Sequence, residues 1–142
     1  MKLYLPIAIL LFIAGLSNGL HETILHHYSS SRLPQQGEKW HDWLNPGSSW
    51  ELKYKDWPDD KRAAFPGSKT VLVFLTDAYH LTKFIYHGCI RAALVIVLIS
   101  FIGQLYHWTR LKRWLYGVAI WFIAAGIQAI GFHLLYTLIL PQ

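Results

Sequence analysis

The chain has 142 residues, of which 54% are hydrophobic and only 15% charged, with a formal net charge of +5. This length holds one ordinary domain, and a charged fraction well below the usual quarter argues against a soluble globular protein. The basic excess does not point to nucleic acid. Residues 21–69 carry seven of the eight acids and as many Lys and Arg, while Arg110, Lys112 and Arg113 cluster between two apolar stretches, where positive charge marks membrane topology. Cys89 is the only cysteine, which excludes an intramolecular disulfide and a cysteine-based zinc site.

In chain order, residues 1–20 open with Met-Lys, continue as LYLPIAILLFIAGL and end with the small residues Ser17 and Gly19. This pattern is that of a secretory signal peptide or of an uncleaved signal anchor. An apolar run of about 18 residues, continuing into HETILHHY, favours retention as a first span. Cleaved or retained, this segment places residue 21 onward outside the cytoplasm.

Residues 21–69 form an irregular extracytoplasmic segment. Pro34, Pro46, Pro58 and Pro66 interrupt regular structure, and Trp40, Trp43, Trp50 and Trp57 fall close together. A segment of this size cannot bury four indoles in a core of its own. They are expected at the bilayer interface or against the spans, where an apolar ring with a polar N–H is well placed. The alternative is a patch that binds a protein partner.

Residues 70–103 read as one long helix containing the second span, with Ser68 or Thr70 as its cap. Residues 104–114, YHWTRLKRW with its flanks, form a basic cytoplasmic loop anchored by Trp108 and Trp114. Residues 115–140 form the third span. The expected fold is all-α, with three transmembrane helices and the Trp-rich segment on their outer ends. The N-terminus is inside, residues 21–83 are outside, and the setting is a bacterial inner membrane. No internal repeat, Walker loop, dinucleotide fingerprint, zincin motif or nucleophile elbow occurs.

A polar stripe carries the functional question. Asp77, His80, His87 and Arg91 fall within an arc of about 80° at 100° per helical residue. An arginine inside a span costs from ~2.5 kcal/mol upward, so a partner is expected to face it. Glu22 and His27, at the outer end of the first span, and His133, on the third, complete a candidate polar cluster. Its plainest reading is that Glu22 or Asp77 neutralises Arg91 while the histidines are hydrogen-bonded fillers. A second reading is a transition-metal site on Glu22, Asp77 and His80, since imidazole plus carboxylate suits zinc, iron or manganese. A third is haem held between His87 and His133. A catalytic version makes Asp77 or Glu22 a general base near a lipid headgroup, with Arg91 binding an anion. On the third span Ala119, Gly126 and Ala129 form a small-residue face suited to close helix approach, by a second copy or a protein partner.

Two blocks, NGLHETILHHY and WLNPGSSWELKYK continuing to FPGSKTVLVFLTDAYH, resemble a family of small, uncharacterised bacterial and phage membrane proteins. The resemblance covers about half the chain and marks Glu22, Thr23, His27 and Tyr28. It also marks Asn45, Pro46, Ser49, Trp50, Lys53, Tyr54, Lys55, Ser68, Thr70, Thr76, Asp77 and His80. His21 and His26 stand where the family pattern has apolar residues and Tyr79 where it has Trp, which favours Glu22, Asp77 and His80 over the other two histidines as functional groups. The resemblance implies the three-span architecture and carries no activity. The function expected is therefore a non-enzymatic membrane scaffold or interaction component. The alternative is a membrane-embedded metal-binding protein, an oxidoreductase or lipid-modifying enzyme.

Overall fold

The computed structural model describes residues 4–134, without the side chains of residues 38, 39 and 131–134. The described chain is mostly helical. Its long helices are α1 (Tyr4–His26), α3 (Ala78–Leu105) and α4 (Arg110–Leu134), with a short α2 (Gly37–Leu44) and a hairpin of β1 (Tyr54–Asp56) and β2 (Asp60–Ala63) between the first two. All three long helices are long and apolar enough to cross a membrane. At 1.5 Å per residue each exceeds the roughly 30 Å hydrocarbon thickness. Their outward side chains are apolar: Phe12 is 67% exposed, Phe101 62% and Ile127 66%. Surfaces of this extent in water are aggregation sites, so the architecture is compatible with an integral membrane protein.

The chain divides into two compact units, Leu11–Cys89 and a second formed by Ile90 onward with the first ten residues. In the first unit, one face of α1 is buried at Ala14, Ser17, His21 and Ile24, a spacing that follows one stripe of a helix. A small core forms from Ile24, Leu44 and Ala78, with Tyr28, Leu33, Trp43 and Tyr79 packed against it. Two of the expected interfacial tryptophans thus differ: Trp43 joins this core, whereas Trp40 stays 58% exposed.

The hairpin is an addition to the all-α expectation. Its strands pair antiparallel, Tyr54 opposite Ala63 and Asp56 opposite Asp60, with a bulge between, and the turn holds a cis Trp57–Pro58 bond. Ser68 is fully buried and donates to the Lys53 carbonyl at 2.7 Å, closing the return of the chain onto the hairpin. That bond occupies the hydroxyl expected to cap a helix. Residues 70–76 instead form turns and a single 3-10 turn at Val73–Leu75. Gly67, at φ +88°, permits this reversal, a region that side chains with a Cβ avoid.

In the second unit α3 and α4 are joined by four residues, a tighter turn than the loop expected over 104–114. His107 takes a left-handed φ of 50°. Trp108 N–H donates to the Gly103 carbonyl at 2.9 Å and His107 N–H to the Gln104 carbonyl at 3.4 Å, the paired bonds of a Schellman stop. The basic cluster lies on the first turn of α4, where Thr109 caps by accepting from Lys112 N–H at 3.3 Å. Arg113 reaches back, donating to the carbonyls of Trp108 at 3.1 Å and Gly103 at 2.9 Å. It thereby brings positive charge to the carbonyl end of α3, where the helix dipole favours it. Gly103 makes room, since a Cβ there would lie 2.6 Å from Arg113 Nε. Further along, Gly117 lets α4 approach Val95 and Ile99. Beside this contact a groove of about 410 Å³ runs between Ala92, Ile96, Trp114 and Trp121.

Two outcomes follow from this turn. Gly103→Ala and Arg113→Ala should each cost about 1–2 kcal/mol, and their effects should not add in a double-mutant cycle read by thermal unfolding in detergent. His107→Gly should instead stabilise by about 1 kcal/mol, because glycine relieves the left-handed backbone. An unchanged or lower melting temperature for His107→Gly would refute the assignment of strain to that residue.

Candidate functional site

The site begins where α3 begins. Asp77 precedes the helix, and its Oδ1 accepts the His80 backbone N–H at 2.8 Å, the bond an N-cap aspartate makes to the third helical residue. Its carboxylate also meets His80 Nδ1, at 2.9 Å through Oδ1 and 2.7 Å through Oδ2. The Thr76 hydroxyl donates to Oδ2 at 2.9 Å. Asp77 is only 1% exposed, while the His80 side chain keeps 32% of its surface open. Burial pushes the Asp77 pKa up. The hydrogen bonds from His80 and Thr76, with the His80 charge, outweigh burial and hold the carboxyl below its ordinary value.

One turn on, Thr82 ties α3 to α1. Its hydroxyl donates to the Ala78 carbonyl at 2.8 Å and lies 3.0 Å from that of Tyr79. The Ser17 hydroxyl donates to the Thr82 carbonyl at 2.9 Å. His21 Nδ1 lies 3.3 Å from Thr82 Oγ1. Because the single threonine proton is directed to the backbone, His21 is assigned as the donor, with its proton on Nδ1. The His21 ring packs on Tyr79 at 4.5 Å between centroids, and Tyr79 meets His80 edge-on at 5.2 Å. Ser17, His21, Thr76, Asp77, Tyr79, His80 and Thr82 are thus joined by hydrogen bonds and, through Tyr79, by ring contacts, where the start of α3 meets α1. Nearby, the buried Tyr28 hydroxyl has no hydrogen-bond partner among the described residues.

The other members of the expected cluster are placed elsewhere. Glu22 is exposed and faces His26 on its own helix at 3.7 Å. His27 is exposed beside His26, with ring centroids 6.5 Å apart. His87 is half-buried against Tyr86 at 5.0 Å. Arg91 stacks over the Trp121 ring, its guanidinium carbon 4.9 Å from the centroid, a cation–π partner not foreseen from the sequence. The His133 side chain lies outside the described residues, as does Tyr136. Among the described residues, no three His, Cys, Asp or Glu side chains are grouped to hold a metal ion. Asp77 and His80 are together; Glu22 makes its contact with His26.

Sequence reasoning missed Ser17, Tyr79 and Thr82. A signal for the first was present, since Ala14, Ser17, His21 and Ile24 lie on one face of α1 and Ser17 gives that face its only hydroxyl. Comparison with protein-family models, curated proteins and solved structures gave no match.

Replacing Asp77 tests the local account. Asp77→Ala should cost about 2 kcal/mol or more, combining a lost cap with orphaned donors, and Asp77→Asn distinctly less, since the amide oxygen still caps. The native carboxyl titrates below its unfolded value, so its stabilisation is complete above the unfolded pKa and is lost as pH falls through the native one. Melting temperature in detergent should therefore drop on acidification below about pH 4, and Asp77→Asn should show a smaller drop. Equal acid sensitivity in the two proteins would contradict the assigned role.

Proposed function

We propose that the protein is a non-enzymatic component of the bacterial inner membrane, a scaffold or interaction protein that spans the bilayer three times. The N-terminus and the α3–α4 turn face the cytoplasm, and the chain between α1 and α3 lies outside as the contact surface. The observation that carries this reading is the division of labour around Asp77. The buried side chains of Ser17, His21, Asp77 and Thr82 bond to one another, to Thr76 and His80 or to the backbone and fasten α1 to α3, while the indoles of Trp40, Trp50 and Trp57 are held outside the small core. Retention of residues 1–20 is supported by the same contacts, since cleavage after Gly19 would remove Ala14 and Ser17 from the buried face of α1. The charge of Arg110, Lys112 and Arg113 supports a cytoplasmic turn. Ala119, Gly126 and Ala129 lie on exposed positions of α4, which suits contact with a second copy.

One observation favours a second reading. With Nδ1 held by Asp77 and a third of the ring exposed, His80 has the orientation of a metal-ligating or proton-transferring histidine with a supporting carboxylate. In that version Asp77 orients rather than ligates, and the protein is a metal-binding oxidoreductase or lipid-modifying enzyme.

Elemental analysis and an absorption spectrum decide between them, on untagged protein purified in detergent without chelators. The scaffold reading expects no stoichiometric transition metal and no Soret band, and expects His80→Ala to alter stability alone. A stoichiometric metal that His80→Ala removes would replace it with the second reading.

A further inference from the structure

Residues 21–69 balance acids against bases in number, yet among the described residues of that segment the one Lys or Arg in a salt bridge is Arg62. Asp60 is taken by Arg62, with Nη2 to Oδ2 at 2.7 Å and Nε to Oδ1 at 2.9 Å. That contact and the Arg62 backbone N–H, aided by the charges of Arg62 and Lys55, lower the Asp60 pKa to about 2. Three lysines of the hairpin region, Lys53, Lys61 and Lys69, go another way. Trp50, Tyr54 and Trp57 form one aromatic cluster, with Trp57 4.9 Å from each of the other two rings. Three ammonium groups from separate points of the chain converge on it. Lys61 lies 4.8 Å from the Trp57 centroid, Lys69 5.1 Å from Tyr54, and Lys53 5.2 Å from Tyr54 and 5.8 Å from Trp50. Lys69 also donates to the Lys61 carbonyl at 3.2 Å. Among the described residues, none of the three makes a salt bridge to a carboxylate.

Three like charges on one small surface repel one another, and the ring faces offset this only in part. An anion would complete the arrangement. Tryptophan and tyrosine partition to the headgroup layer, and lysines beside them attract anionic lipid within a Debye length. In β2 Lys61 alternates with Asp60 and Arg62 and so points to the other side of the strand, which separates the cationic face from the paired one.

We propose that the Lys53, Lys61 and Lys69 ammonium groups, on the Trp50–Tyr54–Trp57 cluster, bind the phosphate of anionic phospholipid headgroups in the bilayer that holds the protein. This rests on the membrane reading above and names the contact that part of its outer segment makes. The surface lays the hairpin on the membrane, and it makes the geometry of the outer segment depend on lipid charge.

The test is residue-resolved lysine acetylation of the full chain, reconstituted in vesicles of phosphatidylcholine alone or with phosphatidylglycerol, and read by mass spectrometry. Lys55 is an internal reference, being exposed and not on the aromatic cluster. Lys61 and Lys69 should be protected about fivefold relative to Lys55 in the anionic vesicles, and high salt should remove the protection. In Lys61→Gln/Lys69→Gln protein, the lipid dependence of Lys53 should vanish while the melting temperature is kept. Equal acetylation of Lys61 and Lys69 in both vesicles overturns the proposal. So does salt-insensitive protection, or protection that requires an added protein instead of the anionic lipid. Extraction of the protein from vesicles by alkaline carbonate reports separately on the membrane reading: release would defeat that reading, whereas retention without protection defeats only the headgroup site.

Discussion

A carboxylate with almost no exposed surface needs several donors, and Asp77 finds them within four residues of itself. Two come from His80 and one from Thr76. This local set determines where the second long helix starts, since the cap places Ala78 as the first helical residue. The start in turn sets the rotation of Tyr79 and Thr82, which meet His21 and Ser17 of α1. Without the cap the polar face of α3 would not be in register with the Ser17 hydroxyl and the His21 imidazole on the buried face of α1.

That dependence explains why polar residues recur at the inner face of apolar helices. Between helices that are apolar on every side, hydrophobic burial distinguishes poorly among orientations, whereas a hydrogen bond whose loss strands a donor distinguishes well. Ser17 and Thr82 therefore specify how α1 meets α3 in the first unit. In the second unit the device differs. Gly103 and Gly117 permit close approach, and Arg113 stitches the end of α3 to the start of α4 through two carbonyls. Arg91 meets the face of Trp121, which lets a guanidinium sit among apolar side chains against an aromatic quadrupole.

The segment between α1 and α3 follows another rule. Its core is small, so its aromatic residues divide between burial and display. Trp43 faces Ile24, Leu44 and Ala78, whereas Trp50 and Trp57 pack on each other and on Tyr54. Ser68, fully buried, holds the hairpin to the chain leading to α3. Lys53, Lys61 and Lys69 take positions on ring faces, while Asp60 is committed to Arg62.

Much of this is legible in the amino-acid sequence. Apolar run length alone locates three long helices, because a stretch of about 20 such residues has few other fates. The stripe of Asp77 and His80 is visible because helical periodicity is a local property. Other features are not. The sequence starts the second long helix at residue 70, whereas α3 begins at Ala78. Ser68 is a good cap by type, and only the hairpin's return shows its hydroxyl engaged with Lys53. The hairpin itself is hidden: YKD and DKRA carry neither alternation nor β-branched residues, and aromatic contacts and one buried serine hold it. The partners of Arg91 and Glu22 are equally beyond reach, because pairing depends on which helix faces which. Sequence by itself therefore determined the presence of three long apolar helices, their polarity and the helical faces, which depend on neighbours along the chain. Tertiary structure alone decided the pairings, because a side chain bonds to what lies within about 3 Å of it, and that distance is set by packing between distant segments.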